Sequence, residues 1–166
     1  MPDIHDLELT IKSHVPLIVI ESQEESRVVD MCKRLVNRLG KPLYQWTVTE
    51  GLQRLESGYR PQKHNANPTE LLAQIKATTT PGIYLLFDFH PYLDDPIHVR
   101  YMKEIAQGYS RLGHTVLLIS HTLAIPPELK KFCARFELTL PDSEALKKLI
   151  VMEANKWSQA NPGRKV

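Results

Sequence analysis

Continuous apolar runs, rather than alternating ones, mark most of the predicted strands, and the clearest run is Ile83–Phe87. Asp88 follows it at once, Pro81-Gly82 precede it, and Pro91 comes shortly after. An unbroken apolar run between turn residues is typical of a strand buried on both faces of a parallel sheet. The pattern therefore predicts a central strand that ends at a carboxylate.

Further apolar runs predict other strands, and residues recurring at helical spacing predict helices between them. Residues 51–67 are polar and contain two glycines and one proline, which predicts an irregular loop. The alternating pattern of 135–140 is typical of a strand at a sheet edge. The predicted strands are 15–20, 43–48, 83–87, 115–120 and 135–140, and the predicted helices are 4–13, 24–39, 68–76, 96–112 and one that starts at 143.

Strands and helices alternate along the whole chain, which indicates an α/β fold with right-handed crossovers. We expect a three-layer αβα domain with a five-stranded, mainly parallel sheet and a topology like that of P-loop NTPases, but without the P-loop. Residues 1–158 form a single domain in this interpretation, and 159–166 form a linker or tail.

Composition excludes several classes of protein. The 21 basic and 19 acidic residues leave a formal net charge of +2, which gives no reason to expect nucleic acid or a membrane surface as a partner. The longest apolar runs are about five residues, whereas a membrane span needs about 20. The two cysteines lie far apart in the sequence, and the first residues lack a signal peptide pattern, so we expect a cytoplasmic protein.

The turn after the first predicted strand is where a P-loop would bind phosphate, as G-x-x-x-x-G-K-[ST]. This chain has ESQEESRVVD there, with no glycine and no lysine. Glu21, Glu24 and Glu25 would instead repel a triphosphate, by several kcal/mol at close range and intermediate dielectric. We therefore expect no ATP hydrolysis by this chain alone and no bound cofactor.

Polar residues follow the third and fourth predicted strands, namely Asp88, His90, Ser120 and His121. Asp88, His90 and His121 could form a metal site or a general-base site, which suggests a small metal-binding, ligand-binding or hydrolytic domain. In the alternative interpretation, Asp88 caps a loop and the histidines are exposed at the surface. The residues alone leave both possibilities open.

Several longer segments carry a family resemblance. These are VPLIVIESQEESRVVD, YQWTVTEGL, IYLLFDFHPYLDDPIHVRYMKEIA, TVLLISHTLAIPPELKKF and LTLPDSEAL, which occur in this order within residues 14–146. In them the chain resembles the N-terminal region of a divergent AAA-type ATPase family, the Ycf-type AAA proteins of cyanobacteria, plastids and other bacteria.

The resemblance implies that this region is a degenerate copy of the ATPase core, with ATP and Mg²⁺ bound by a downstream module. Asp88 would then occupy the vestigial Mg²⁺-ligand position, Phe89 the place of the usual catalytic glutamate, and Ser120 the vestigial sensor position. The implied role is regulatory or in assembly. The implied partners are an AAA module in cis, an ATPase in trans, or another protein, and the implied compartment is the cytoplasm or the plastid stroma.

Overall fold

The computed structural model describes residues 2–55, 65–139 and 143–163, which form a mixed α/β fold. The helices are α1 (Pro2–Lys12), α2 (Glu25–Leu39), α3 (Pro68–Ala77), α4 (Pro96–Gln107), α5 (Tyr109–Leu112) and α6 (Ser143–Ala160), with 3₁₀ turns at His90–Asp94 and Pro127–Phe132. The strands are β1 (Leu17–Glu21), β2 (Leu43–Thr47), β3 (Gly51–Arg54), β4 (Ile83–Phe87), β5 (Thr115–Ser120) and β6 (Cys133–Phe136).

The described strands form one sheet in the order β3-β2-β4-β5-β1-β6, and every pair except β2–β3 is parallel. The strand predicted to be central, β4, is buried along its whole length, and so is β5. The α/β class and the mainly parallel sheet are therefore confirmed. In this order β1, β4 and β5 lie side by side, so their carboxyl ends meet at one edge of the sheet.

The prediction of five strands is wrong, because β3 lies inside the segment predicted to be a loop. Gly51 has φ +73°, a left-handed conformation suited to glycine, and the chain reverses there so that Leu52 pairs with Trp46. A short antiparallel edge strand buries few side chains, so its sequence can be as polar as that of a loop. The sequence pattern therefore did not predict β3. The remainder of the predicted loop, 56–64, lies outside the described residues.

Two other element boundaries also differ from the prediction. The helix predicted over 96–112 is divided at Gly108. Only proline disfavours the interior of a helix more than glycine does. The last strand covers Cys133–Phe136 rather than 135–140, since the preceding 3₁₀ turn leads directly into the register of β1, with Leu17 opposite Cys133. Its predicted place at a sheet edge is correct.

Hydrophobic clusters cover both faces of the sheet, as a three-layer arrangement requires. On one face, Trp46, Tyr84 and Phe89 pack with residues of α3 and α4. On the other face, α1 and α2 cover the strands with residues such as Leu7 and Leu35. The side chains of Asn67 and Asp95 accept hydrogen bonds from the first turns of α3 and α4, so these residues are the N-caps of the two helices.

A polar cluster connects α1, α2 and the segment after β6. The Asp3 carboxylate accepts bonds from Arg27 Nη2 at 2.7 Å and from the backbone N–H and hydroxyl of Thr139. Arg27 also donates to the Thr139 carbonyl at 2.9 Å. Asp3 is buried, so this cluster fixes the N-terminal helix to the segment after β6. Among the described residues, the acidic partners of Arg27 are Asp3 and Glu24.

Helix α6 differs from the other helices because its described side chains are largely exposed. From Lys148 onward, every residue up to Gln159 except Ala154 is exposed, including the apolar run Leu149–Met152. The helix continues to Ala160, two residues beyond the predicted domain end. Among the described residues, no helix has both the length and the apolar content that crossing a membrane requires.

Candidate functional site at the carboxyl edge of the sheet

The ends of β1, β4 and β5 bring three predicted residues to one edge. Glu21 lies opposite Ser120 in the parallel register, and the Ser22 N–H continues the ladder by donating to the Ser120 carbonyl at 2.8 Å. The Asp88 N–H donates to the Ile119 carbonyl at 2.9 Å. Open α/β sheets bind ligands at this edge, so the side chains here are the candidate binding or catalytic groups of the domain.

The side chain of Ser22 stabilises the turn between β1 and α2. The Ser22 hydroxyl accepts the Glu24 N–H at 2.9 Å, and Glu24 makes no side-chain cap on α2. Burial raises the pKa of Glu25, and the negative charge of Asp88 raises it further. The first turn of α2 and the end of β4 therefore face each other with like charge, which opposes binding of an anion at this helix terminus.

A cation reaches this edge, but Glu21 binds it. Arg135 of β6 forms an ion pair with Glu21 and donates its other Nη to the Leu123 carbonyl at 3.1 Å. This arginine thus bridges the end of β1 and the segment after β5. Sequence reasoning missed the pair because Glu21 and Arg135 are separated by 114 residues; only the parallel pairing of β1 with β6 brings them together.

Asp88 stands at the end of β4 in a conformation that non-glycine residues rarely adopt. Its φ is +54°, its side chain is exposed, and the next residue, Phe89, is buried. Phe89 contacts Trp46 and Tyr92 in edge-on geometry, at 5.5 and 5.6 Å between ring centres. The left-handed conformation of Asp88 turns the chain so that the Phe89 ring enters the core and the Asp88 carboxylate stays at the surface.

We expect Asp88→Val to lower the free energy of unfolding by about 1–2 kcal/mol, because a β-branched side chain is disfavoured in the left-handed region. Asp88→Asn is the matched control and should change stability by less than about 0.5 kcal/mol, since asparagine tolerates this conformation. Urea unfolding of the two variants measures the difference. Equal stability of the two variants would contradict the structural role of this conformation.

Ser120 is almost fully buried, and its hydroxyl is already used. It donates to the Thr122 carbonyl at 2.7 Å and closes the turn after β5. A hydroxyl bound in this way stabilises the loop rather than facing the space beside the turn of β1. The vestigial sensor position that the resemblance implies is therefore a turn-forming residue in this structure.

His90 and His121 lie next to each other, with ring centres 5.2 Å apart and the rings nearly perpendicular. Within the described parts of the chain, no group of three or more His, Cys, Asp or Glu side chains is placed to hold a metal ion. The metal site of Asp88, His90 and His121 stays a prediction. The buried Nδ1 of His90 has no hydrogen-bond partner within residues 2–55, 65–139 and 143–163, and leaving such an atom unpaired costs about 1–3 kcal/mol.

A cleft of about 880 Å³ opens beside these histidines, between the 3₁₀ turn His90–Asp94, helix α4 and the segment after β5. Its lining includes the apolar Val99 and Leu123 and the cationic Arg100 and Lys103. No local pattern predicts this cleft, since its walls come from three segments that only the tertiary structure brings together.

Comparison with known proteins identifies related sequences. A family model described as "SpoVK-like AAA ATPase, N-terminal domain" matches residues 3–138. The "Uncharacterized AAA domain-containing protein ycf46" of Guillardia theta is 29% identical over 153 residues, which covers 89% of this chain and 29% of that protein. The protein of the same name from Pyropia yezoensis is 27% identical over 151 residues, 88% of this chain and 30% of that protein.

This chain thus spans less than a third of the length of these relatives. Among solved structures, a chain in "Structure of Drosophila ORC bound to GC-rich DNA and Cdc6" superposes with a TM-score of 0.41 at 13% identity, covering 98% of this chain and 74% of that chain. A similarity of this size carries no functional argument.

Proposed function

The chain belongs to the family of SpoVK-like AAA ATPase N-terminal domains, and from this membership we propose that it is a non-catalytic regulatory or assembly domain of an AAA-type ATPase. In this proposal ATP and Mg²⁺ are bound and hydrolysed by a separate AAA module. That module lies downstream in cis or belongs to an ATPase that this domain joins in trans. The domain contacts protein partners rather than nucleic acid or membrane, in the cytoplasm or the plastid stroma.

One observation supports the non-catalytic role above the others: acidic groups occupy the turn after β1. Glu21 is paired with Arg135, and Glu25 faces Asp88 with like charge. A phosphate-binding turn needs converging backbone N–H groups and a positive charge. Here Ser22 binds the Glu24 N–H, and the nearby arginine is held by Glu21.

The positions that the resemblance assigns to Mg²⁺ and sensing also support this role. Asp88 adopts a left-handed conformation, and the buried Phe89 follows it at the position that the resemblance assigns to the catalytic glutamate. The Ser120 hydroxyl is bound to the Thr122 carbonyl. The hydroxyl of Ser120 therefore stabilises the turn after β5, which supports a structural role for this position.

Calorimetric titration with ATP and ADP, with and without Mg²⁺, tests the proposal. We expect no heat beyond dilution at nucleotide concentrations up to about 1 mM, which corresponds to a binding free energy weaker than about −4 kcal/mol. Glu25→Gln is the matched variant: it removes one negative charge, and it should still not bind because the turn offers no phosphate cradle.

Tight, Mg²⁺-dependent binding of ATP that is lost in Asp88→Asn would overturn the proposal. It would mean that Asp88 still acts as a metal ligand. Asp88→Asn suits this test because asparagine keeps the left-handed backbone while it removes the charge. Unchanged thermal unfolding of the variant would show that lost binding reflects the carboxylate and not the fold.

A further inference from the structure

The segment after β5 forms one wall of the cleft beside His90, and part of its backbone is free. Ala124 and Ile125 line the cleft and belong to no helix or strand. Their N–H and C=O groups make no hydrogen bond to any residue that the structure describes. Ile125 and Pro126 each precede a proline, which favours extended backbone, and Pro126 has φ −54° and ψ 141°. The wall is therefore an extended segment with backbone groups available for pairing.

The side chains around this segment make the wall of the cleft largely apolar. Leu93 and Leu123 are buried, and Val99 of α4 is half-buried. An apolar wall of this kind favours aliphatic side chains of a ligand, because their burial removes apolar surface from water. The cleft volume of about 880 Å³ lies within the range of ligand-binding pockets.

The lining also carries charges of both signs that are not neutralised within the domain. Lys103 is half-buried and forms no ion pair in the described part of the chain, whereas Arg100 pairs with Glu104 at 3.0 Å. Asp94 and Glu128 are exposed carboxylates of the lining, also without an ion pair among the described residues. A ligand with one sign of charge would match only part of this lining. A ligand with both signs matches all of it.

The same cleft contains a buried polar atom that lacks a partner. His90 Nδ1 makes no hydrogen bond within the described ranges, although buried polar atoms in folded proteins nearly always make one. A peptide backbone offers a donor and an acceptor at each residue other than proline, so it could satisfy either tautomer of this imidazole.

We propose that the cleft binds an extended peptide segment of a partner protein, in which aliphatic residues stand between a basic and an acidic side chain. The peptide backbone pairs with Ala124 and Ile125, as in strand addition. Its acidic side chain pairs with Lys103, and its basic side chain meets Asp94 and Glu128. This inference rests on the proposed function, because it names the kind of segment that a regulatory or assembly domain would bind.

Nuclear magnetic resonance titration of the isotope-labelled chain with the capped peptide acetyl-KVIVE-amide tests this inference. We expect saturable shifts of the backbone amides of Ala124 and Ile125, with a Kd below about 1 mM. The peptide acetyl-KSSSE-amide lacks the aliphatic side chains, and methylation of the amide nitrogens of the aliphatic residues removes backbone donors. Each change should weaken binding at least about fivefold.

An exchange of charge tests the contact with Lys103. Lys103→Glu should weaken binding of acetyl-KVIVE-amide at least about tenfold, and acetyl-KVIVK-amide should restore binding to this variant. Lys33→Glu is the matched control, because Lys33 is an exposed lysine of α2, which covers the other face of the sheet. If Lys103→Glu does not fold, the unaltered chain still provides the comparison, since it should bind acetyl-KVIVK-amide more weakly than acetyl-KVIVE-amide.

Absence of saturable shifts at Ala124 and Ile125 up to about 1 mM peptide overturns the inference. So does equal binding of acetyl-KVIVE-amide and acetyl-KSSSE-amide. Shifts of these amides that depend only on the concentration of the chain itself also overturn it, because a second copy would then occupy the cleft. No nucleotide is present in these titrations, so this inference can fail while calorimetry with ATP still supports the non-catalytic role, and the reverse.

Discussion

Replacing Trp46 with alanine is expected to lower the free energy of unfolding by about 3–5 kcal/mol, one of the two largest effects of any single change proposed for this domain. Trp46 is fully buried in β2 and packs edge-on against Phe89 and Tyr92, with ring centres 5.5 and 6.1 Å away. Its Nε1–H donates to the Asn65 carbonyl at 2.7 Å. Alanine would leave both a cavity and a buried carbonyl without its donor.

Urea unfolding followed by circular dichroism measures this loss, and two variants separate its causes. Trp46→Phe keeps much of the ring volume but removes the donor, so it should cost less, about 1–3 kcal/mol. Trp157→Ala is the matched control: Trp157 is 41% exposed on α6, and we expect a change below about 0.5 kcal/mol. A loss at Trp157 as large as that at Trp46 would contradict the exposed position of α6 in the isolated chain.

Replacing Asp3 with alanine is expected to lower the free energy of unfolding by about 3–5 kcal/mol, because it leaves Arg27 without its buried partner. The Arg27 side chain is only 22% exposed, and Asp3 also accepts two bonds from Thr139. Three segments distant in sequence would therefore lose their common polar contact. Thermal or urea unfolding measures the effect.

A double-mutant cycle assigns this loss to the pair. Asp3→Ala combined with Arg27→Met should be less destabilised than the sum of the single changes, since no unpaired charge remains. Asp6→Ala is the control, an exposed aspartate on the same helix that should cost less than about 0.5 kcal/mol. Additive single changes would mean that Asp3 and Arg27 stabilise the fold independently.

Local sequence patterns were sufficient to predict those features that depend only on residues close together in the chain. The buried strand before Asp88 and the caps at Asn67 and Asp95 follow from residues within a few positions of each other. The same is true of the acidic turn after β1. In contrast, β3 was missed because its signal is a pairing with β2 rather than a pattern of its own.

The histidines also show that the sequence alone does not predict which polar side chains are buried. His114 is fully buried, where its Nδ1 accepts the Gly82 N–H at 3.2 Å and its Nε2 bonds to the Thr78 carbonyl at 2.7 Å. Burial lowers the pKa of this imidazole. No neighbouring residue in the sequence distinguishes it from His121, which is exposed, because burial depends on what the fold brings to each side chain.

The sequence by itself determined the α/β class, the central strand that ends at Asp88, and the absence of a phosphate-binding pattern after the first strand. These properties depend on the order and polarity of adjacent residues, which the chain carries locally. The tertiary structure alone decided that Arg135 neutralises Glu21, that Asp88 adopts a left-handed turn beside Glu25, and that three segments enclose a cleft next to His90. Such contacts join residues that are far apart in the chain, and only the packing of the sheet and its helices sets the distances between them.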